Sequence, residues 1–500
     1  MTARISAISP SAFNHSMTAI LALAVTGCTL APRYERPAAP IPATWPTTTE
    51  TPRTTTTAVR TTTETPRTAD IPWTTLFGDP RLRALITTGL ENNRDLRTAL
   101  LRVEQTRARY RIESATPWPT LNATADATRG RTPADLTGTG QARTASQYRV
   151  GGALATWEID LFGRLRNLKT AALETWLATE EARRAAHLAY ITTLATQYLT
   201  ERSAAEQHTL AHRTHTLIQE THTLIKHRYD NGVANELDLR TVEAQQAGAR
   251  ATLAEHTRNH AQARNALAWL HGAPLPEDLP PPLPLADRNH ILTDLPAGLP
   301  ADLLHRRPDI RQAEHTLRAA NANIGAARAA YFPTITLTAF GGASSAALDN
   351  LFKPGAGTWN FAPQLTLPIF TAGRTRATLD VAEIQKRIEI ATYEKAIQTA
   401  FREVADALAA RATCDEQHTA QQEQVTAGQS RYDLSEIRYK GGVTDYLTVL
   451  TAQQDLYAAQ QNLIRTRTLH LISHIDLYKA LGGGWERQQP GEEHPMKNGE

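Results

Sequence analysis

The chain has 500 residues, of which 41% are apolar, 21% charged and only 6% aromatic. That apolar content could fill two or three globular domains, but so much charge against so few rings suits long helices better. A net charge of +3, with signs alternating along the helical stretches, excludes a polyanion footprint and reads as solvated helix faces.

Arg4 precedes an apolar run, Met17 to Val25, that ends at Thr26, Gly27 and Cys28. The run is too short to span a bilayer and has the length of a signal-peptide core, whether Met1 or Met17 is the start. Val25-Thr-Gly-Cys28 is the pattern a lipoprotein signal peptidase accepts. Small residues let the chain lie extended in the protease, and the Cys28 thiol becomes the diacylglyceryl anchor. The alternative is an ordinary signal peptide with a chance cysteine. The expected division is a lipoprotein signal peptide over 1–27 and a lipidated arm over 28–78. With Cys28 acylated, Cys414 is the one remaining cysteine and no disulfide within the chain can form. The arm is rich in Pro and Thr and carries one octapeptide twice, at 47–54 and 61–68, which reads as a tether or a loosely wrapped arm. Elsewhere no run approaches 18 apolar residues, so any membrane-spanning structure has to be a closed β-barrel.

From Asp79-Pro80 to about Thr116 the apolar spacing predicts helix, stopped by Pro117-Trp-Pro119. Leu121, Ala123, Ala125 and Ala127 then alternate with polar residues over the length a transmembrane strand needs. A polar loop (130–145) leads to a second alternating run, Tyr148, Val150, Gly152, Leu154, ending near Gly163. Gly163 to Tyr229 lacks proline and predicts one helix about 100 Å long. Asn231-Gly232 breaks it, and Glu236 to Leu270 returns as a helix of roughly 55 Å.

A Pro-rich connector over 274–299 separates this first repeat (79–273) from a second one (300–484), followed by a tail over 485–500. The second repeat follows the same plan: helix from Pro300 to Ala330, strand from Thr334 to Phe340, Gly-rich loop, and strand from Thr358 to Thr371 with Trp359, Phe361, Leu365 and Leu367 on one face. Gly373 to Tyr439 is again proline-free helix, with Ile384, Ile388, Ala391, Phe401, Val404 and Leu408 spaced as a coiled-coil seam. Gly441-Gly442 turns the chain, and Thr444 to Leu481 runs back. The duplication is visible directly. Tyr229-Asp-Asn-Gly-Val233 matches Tyr439-Lys-Gly-Gly-Val443 at an offset of 210, and Pro119-Thr-Leu121 matches Pro333-Thr-Ile335 at an offset of 214. A period this long exceeds solenoid repeats, so each copy is a whole supersecondary assembly.

Two hairpins give four strands per chain, whereas membrane barrels need about eight or more. Several copies must therefore share one barrel: two would make eight strands around a filled bore, three would make twelve around an open one. His208, His212 and His215 have a helical spacing able to ligate a metal, but a solvated helix face is the plainer reading and no closed ligand set accompanies them. No phosphate loop, nucleophile elbow or acid–base pair on a β-scaffold is present, so neither an enzyme nor a cofactor is expected. A periplasmic coiled-coil scaffold or adaptor that never enters lipid is the alternative to a membrane barrel, and it has no use for membrane-type hairpins.

Several segments together resemble the TolC-like outer-membrane efflux factors, specifically the OprM/NodT lipoprotein branch. They are Leu30-Ala-Pro-Arg-Tyr-Glu-Arg-Pro37, Glu91-Asn-Asn-Arg-Asp-Leu96, Trp157-Glu-Ile-Asp-Leu-Phe-Gly163, Asn231-Gly-Val-Ala-Asn-Glu-Leu-Asp-Leu239, Arg306-Arg-Pro-Asp-Ile310, Pro368-Ile-Phe-Thr-Ala-Gly373 and Tyr478-Lys-Ala-Leu-Gly-Gly-Gly-Trp485. The resemblance implies a mixed α and β membrane protein: a homotrimer sharing a twelve-stranded barrel in the outer membrane, above a coiled-coil helical tunnel across the periplasm. It implies a passive exit duct for drugs or other small molecules in a tripartite efflux system, RND-type, or else a type I secretion duct. The implied partners are a periplasmic adaptor (membrane fusion protein), an inner-membrane transporter and outer-membrane lipid. It places adaptor docking at the helix tips, on Tyr229, Gly232, Val233, Tyr439, Gly442 and Val443, and the periplasmic aperture at Leu447, Thr448 and Thr451. Relatives often carry aspartates at one or both of the last two positions, so the threonines imply a neutral ring and weaker cation selectivity.

Overall fold

The computed structural model describes residues 29–42, 44–45, 71–292, 295, 300 and 303–483. The expected signal peptide, Cys28, the Thr-rich repeat at 47–68 and the tail at 485–500 lie outside the described residues. The chain divides into two compact units. One comprises Arg102–Glu180 and Gln312–Tyr393 with the described residues up to Ala38; the other comprises Ala39–Leu101, Glu181–Arg311 and the chain from Glu394.

In chain order the main elements are α1 (Pro80–Asn92), α2 (Arg94–Ala115), β1 (Leu121–Thr132), β2 (Arg143–Ile159), α3 (Arg164–Asp230) and α4 (Glu236–His271), then α5 (Pro308–Ala329), β3 (Thr334–Ser345), β4 (Gly357–Thr366), α6 (Arg374–Lys440) and α7 (Tyr446–Ala480). The duplicated plan expected from the sequence is present, with α3 and α6 of 67 residues each.

Four boundaries differ from expectation, each for a local reason. The first helical stretch is two helices, because Asn93 adopts an extended conformation that closes α1. Its side chain then accepts from the backbone N–H of Asp95 and Leu96 and opens α2. The helix expected over 300–330 breaks at Arg307, since Pro308 disfavours helical geometry in the residue before it. A single turn, Leu303–Arg306, precedes the break. β1, β2 and β3 run further into their polar loops than hydrophobic alternation reveals, because antiparallel backbone pairing continues to Thr132↔Arg143 and Ala343↔Gly357 regardless of side chain. β4 ends at Thr366 rather than Thr371, ahead of Pro368, which has no N–H to offer a ladder.

The four strands form one antiparallel sheet in the order β1-β2-β3-β4, so β1 and β4 each have a neighbour on one side only. A bulge between Leu154 and Trp157 shifts the β2–β3 register. The middle of this pair is built from glycines: Gly151 faces Gly342 and Gly152 faces Gly341. A Cβ on Gly151 would overlap the Gly341 carbonyl and the Gly342 Cα, and one on Gly342 would overlap the Val150 carbonyl, whereas Gly152 and Gly341 face open space.

The same unit holds the start of the described chain. Arg36 grips the buried Glu314 with two hydrogen bonds of 3.1 and 2.6 Å, and Tyr34 donates to it at 3.3 Å. Arg318 pairs with Glu314 from the next turn at 2.7 Å. Burial pushes the Glu314 carboxyl up, but Arg36 and Arg318 more than offset this and hold it below its ordinary range. Asn321 donates to the Pro32 carbonyl and Thr29 to Asn167, while Gly325 leaves the space that Asn167 and Ala31 occupy.

The expected α6 seam is displaced. Val404 is buried, but Ile384 and Ile388 are each 51% exposed. The buried stripe is Tyr393, Ile397, Ala400, Val404 and Ala407, stepping by four and three, which leaves Val381, Ile384 and Ile388 as an exposed apolar stripe. Both stripes have helical spacing; periodicity alone does not say which one this chain covers with its own residues.

In the helical unit, Asp79 is a fully buried hub. It caps α1 through Arg81 N at 2.8 Å and Leu82 N, accepts from Tyr198 Oη at 2.7 Å, and lies 3.5 Å from His290 Nδ1. That last approach lacks hydrogen-bond geometry and is ionic only when His290 is protonated. Burial raises the Asp79 carboxyl, while His290, Tyr198 and the two N–H groups together bring it below its ordinary value. Burial lowers His290, and Asp79 with the Pro284 carbonyl more than reverses this, so it ends raised.

Asp79→Ala is expected to cost about 2 to 4 kcal/mol, for a lost cap and a stranded Tyr198 hydroxyl. It should appear as a lower melting temperature of the detergent-solubilised protein. The Asp79 contribution is present above its unfolded value of about 3.9 and is lost as pH falls through the depressed folded value. The His290 contribution is complete below about 6.5 and is lost as pH rises through the raised folded value. The stability difference between wild type and Asp79→Asn should therefore be greatest between about pH 4 and 6.5 and narrow on both sides. In the sheet, Gly342→Val should abolish the folded, heat-modifiable band on gels while Gly341→Ala keeps it; equal tolerance of both would contradict the close β2–β3 approach.

Candidate functional site: the helix tips and the start of α7

The two reversals, α3 to α4 and α6 to α7, share one geometry. Gly232 and Gly442 sit at φ +72° and +71°, in the left-handed region that side chains with a Cβ resist. In the first, Gly232 N donates to the Tyr229 carbonyl at 2.9 Å and Val233 N to Arg228 at 2.8 Å; in the second, Gly442 N donates to Tyr439 at 3.0 Å and Val443 N to Arg438 at 2.9 Å. These bonds satisfy the last carbonyls of each long helix. Each returning helix is then capped by a side chain: Asn235 accepts from Asp238 N, and Asp445 from Thr448 N. The Asp445 carboxyl is held low by the Thr448 hydroxyl and backbone N–H.

The tip residues named from the sequence are mostly solvent-facing. Val233 and Val443 are exposed, as is Leu237. Tyr229 and Tyr439, equivalent in sequence, differ: Tyr229 is exposed, whereas Tyr439 packs against a core of Ile225, Val242, Tyr446, Val449 and Leu450.

Leu447, Thr448 and Thr451 lie on one exposed face at the start of α7, opposite the buried Tyr446, Val449 and Leu450. Leu447 is 62% exposed, although it stands between two residues of which one is buried. The hydroxyls of this face are turned inward to the helix itself. Thr448 Oγ1 donates to Asp445 at 2.7 Å and Thr451 Oγ1 to the Leu447 carbonyl at 2.9 Å. The face therefore presents one leucine and two methyl-bearing, uncharged side chains.

Sequence reasoning missed the aromatic lock beside this face. Arg228 donates to Tyr439 Oη at 3.2 Å and covers its ring at 5.6 Å. The Tyr439 and Tyr446 rings stand 5.6 Å apart. Tyr446 donates to Gln245 at 3.2 Å, and Gln245 donates to Gln453 at 3.1 Å. Burial pushes the Tyr446 phenol up to about 12. One signal was available: at the 210 offset Tyr446 aligns with Glu236, so the two tips differ where a buried ring replaces an exposed carboxylate. A cleft of about 610 Å³ also opens among α3, α4 and α7, with Ala211, Ala244, Gly248 and Leu450 among its walls.

The histidine face resolves differently from its sequence spacing. His208 neighbours His212 on α3, but its other neighbour is His260 of α4, at 5.9 Å between rings, and His260 is held by Glu201 at 3.0 Å. Among the described residues no group of three or more His, Cys, Asp or Glu side chains is placed to hold a metal ion. No described helix is long and apolar enough to cross a membrane.

The model of the outer membrane efflux protein family matches residues 85–273 and 299–483, one match per repeat. The chain is 47% identical over 472 residues to the solvent efflux pump outer membrane protein SrpC of Pseudomonas putida, covering 93% of this chain and 97% of that one. It is 41% identical over 469 residues to the outer membrane protein OprJ of Pseudomonas aeruginosa, covering 93% and 95%. Among solved structures, the open state of the MtrE outer membrane channel of Neisseria gonorrhoeae superposes with a TM-score of 0.81 at 42% identity, covering 91% of this chain and 98% of that one. With both repeats matched and the hairpins, long helices and tips in the expected order, the chain belongs to the outer membrane efflux protein family and is an outer-membrane channel protein of the TolC-like fold.

Proposed function

We propose that three copies of this chain close a twelve-stranded barrel and form the passive outer-membrane exit duct of a tripartite efflux pump, RND-type, anchored through acylated Cys28. The observation that carries this reading is the single four-stranded sheet with unpaired edges at β1 and β4, which lipid does not tolerate. Edge-to-edge pairing of three copies removes every edge and leaves a bore that water can fill. The outward residues of β4, Trp359, Phe361 and Leu365, are exposed and suit a lipid-facing wall with an aromatic girdle. The exposed stripe of Val381, Ile384 and Ile388 gives neighbouring copies an apolar surface to cover.

The exported class is drugs or other small molecules. Relatives at 45 to 47% identity are named for solvent, toluene and antibiotic efflux. Transport of this kind asks for no catalytic group and no cofactor in the duct. In this reading the repeats span 79–273 and 300–484, and the tips at Tyr229, Gly232, Val233, Tyr439, Gly442 and Val443 meet a periplasmic adaptor that links the duct to an inner-membrane transporter. Three copies of Leu447, Thr448 and Thr451 line the narrowest point. Their uncharged face supports an apolar, weakly ion-selective constriction, because fixed charge in a narrow pore dominates ion choice.

Native mass spectrometry of the detergent-solubilised protein should show three chains; a stable dimer would mean eight strands and a filled bore, and would overturn the duct. In planar bilayers the wild-type channel should show weak cation preference, and Thr451→Asp should raise cation selectivity severalfold by adding three carboxylates at one level. Strong cation selectivity in the wild type that maps to this constriction would sink the assignment of these residues.

A further inference from the structure

The pairing register of the sheet sorts its residues onto two faces, because directly opposed residues of antiparallel strands point the same way. Phe361 and Leu365 of β4 oppose Ala339 and Ile335 of β3. Ala339 opposes Leu154 of β2, and Leu154 opposes Leu121 of β1. These residues define the apolar face, the one turned to lipid when copies close the barrel. The other face carries Asn122, Thr124 and Asp126 of β1, with Arg149 of β2 opposite Asp126 and lying over the Phe340 ring at 4.1 Å.

Followed along β1, the apolar face changes character at one point. Leu121, Ala123, Ala125 and Ala127 are succeeded in the same alternating column by Arg129 and Arg131, both exposed. Across the pair these stand opposite Ser146 and Thr144 of β2. Two guanidinium groups, on Cα atoms about 7 Å apart, and two hydroxyls thus share one patch of the outward face. Among the described residues neither arginine has an ion-pair or side-chain hydrogen-bond partner. The one carboxylate of β1, Asp126, lies on the other face. β4, the strand that edge pairing sets beside β1 of the next copy, contains no Asp or Glu.

Depth explains why charge is tolerated on this face. Where the helices join the sheet, Trp118 is exposed and the Trp157 indole donates to the Pro117 carbonyl at 2.9 Å; such aromatic residues mark a membrane interface. From Leu121, a strand rising about 3.4 Å per residue and tilted about 40° climbs about 21 Å by Arg129 and about 26 Å by Arg131, against an apolar band of about 25 Å. Both arginines therefore reach the far border of the hydrocarbon, at the hairpin end of the sheet, where long basic side chains extend into the headgroup layer. The helices run into the periplasm, so this border belongs to the outer leaflet, whose glycolipids carry phosphate. A guanidinium matches phosphate oxygens with two parallel hydrogen bonds.

We propose that Arg129 and Arg131, with the Ser146 and Thr144 hydroxyls, bind the phosphate groups of a glycolipid headgroup in the outer leaflet. The inference rests on the barrel reading above, which makes this the lipid-facing side. Native mass spectrometry of the purified full-length protein in detergent, titrated with bisphosphorylated lipid A, reports the number of chains and the lipids bound in one measurement. The wild-type trimer should bind the lipid saturably, and the same lipid stripped of both phosphates at least about tenfold more weakly. Arg129→Gln combined with Arg131→Gln should weaken lipid A binding about tenfold or more. Arg143→Gln combined with Arg149→Gln removes the same charge from the opposite face and should leave the affinity unchanged. Should the first double variant form no trimer, its two single variants carry the test. A trimer that binds no lipid A saturably, that binds the stripped lipid equally well, that releases lipid A to an equal concentration of inorganic phosphate, or that keeps its affinity without Arg129 and Arg131 overturns this inference alone. Equal loss in the opposite-face variant also overturns it. A wild type that forms no trimer overturns the barrel reading and the lipid-facing assignment with it.

Discussion

Backbone N–H and C=O groups along β1 and β4 have partners on one side only, and in hydrocarbon each unpaired group costs several kcal/mol. No rearrangement within four strands removes this cost, because closing a barrel takes about twice as many. The sheet is consequently a fragment of something larger, and much of what is unusual in the chain follows from that. Large apolar residues on β4 face outward instead of into a core. The stripe Val381, Ile384, Ile388 is left bare. The Gly151–Gly342 pair allows β2 and β3 to come closer than side chains permit, the kind of local relief that sheet curvature requires.

The helical unit solves the opposite problem, holding very long helices together with few large side chains. Alanine and threonine cover much of their length, so packing energy per residue is modest, and precision comes from a small number of buried polar hubs. Asp79 is the clearest of these, joining the start of α1, the middle of α3 and the connector through one carboxylate. Glu314 does comparable work in the other unit, fixing the Tyr34–Arg36 segment to α5. Such hubs are sensitive to loss of one partner, since a charge left buried and unpaired costs more than the pair contributes.

At the tips, the sequence repeat and the structure carry different information. The repeat makes Gly232 and Gly442 equivalent, and they are equivalent in geometry. It also makes Tyr229 and Tyr439 equivalent, and they are not: one faces solvent, the other is packed under Arg228 and beside Tyr446. A glycine's role is fixed by its own backbone torsion, whereas a tyrosine's is fixed by whatever lies next to it. That neighbour, Tyr446 in place of Glu236, is where the two copies diverge.

The order of elements, the internal duplication, the hairpins and the positions of both turns were legible in the chain itself, because each rests on local chemistry: strand alternation, proline-free runs, Gly at a left-handed turn, and Pro or Asn at a break. Leu447, Thr448 and Thr451 were singled out by family resemblance alone. Three things required the tertiary structure. The covered side of α6 was one, since two apolar stripes of equal periodicity compete and only neighbouring helices choose between them. The pairing of His260 with Glu201, and of His470 with Asp415, was another, because residues 59 and 55 positions apart meet only when antiparallel helices fix their register. The last was the contact of Arg228 with Tyr439, residues 211 positions apart that meet only because the ends of α3 and α6 converge.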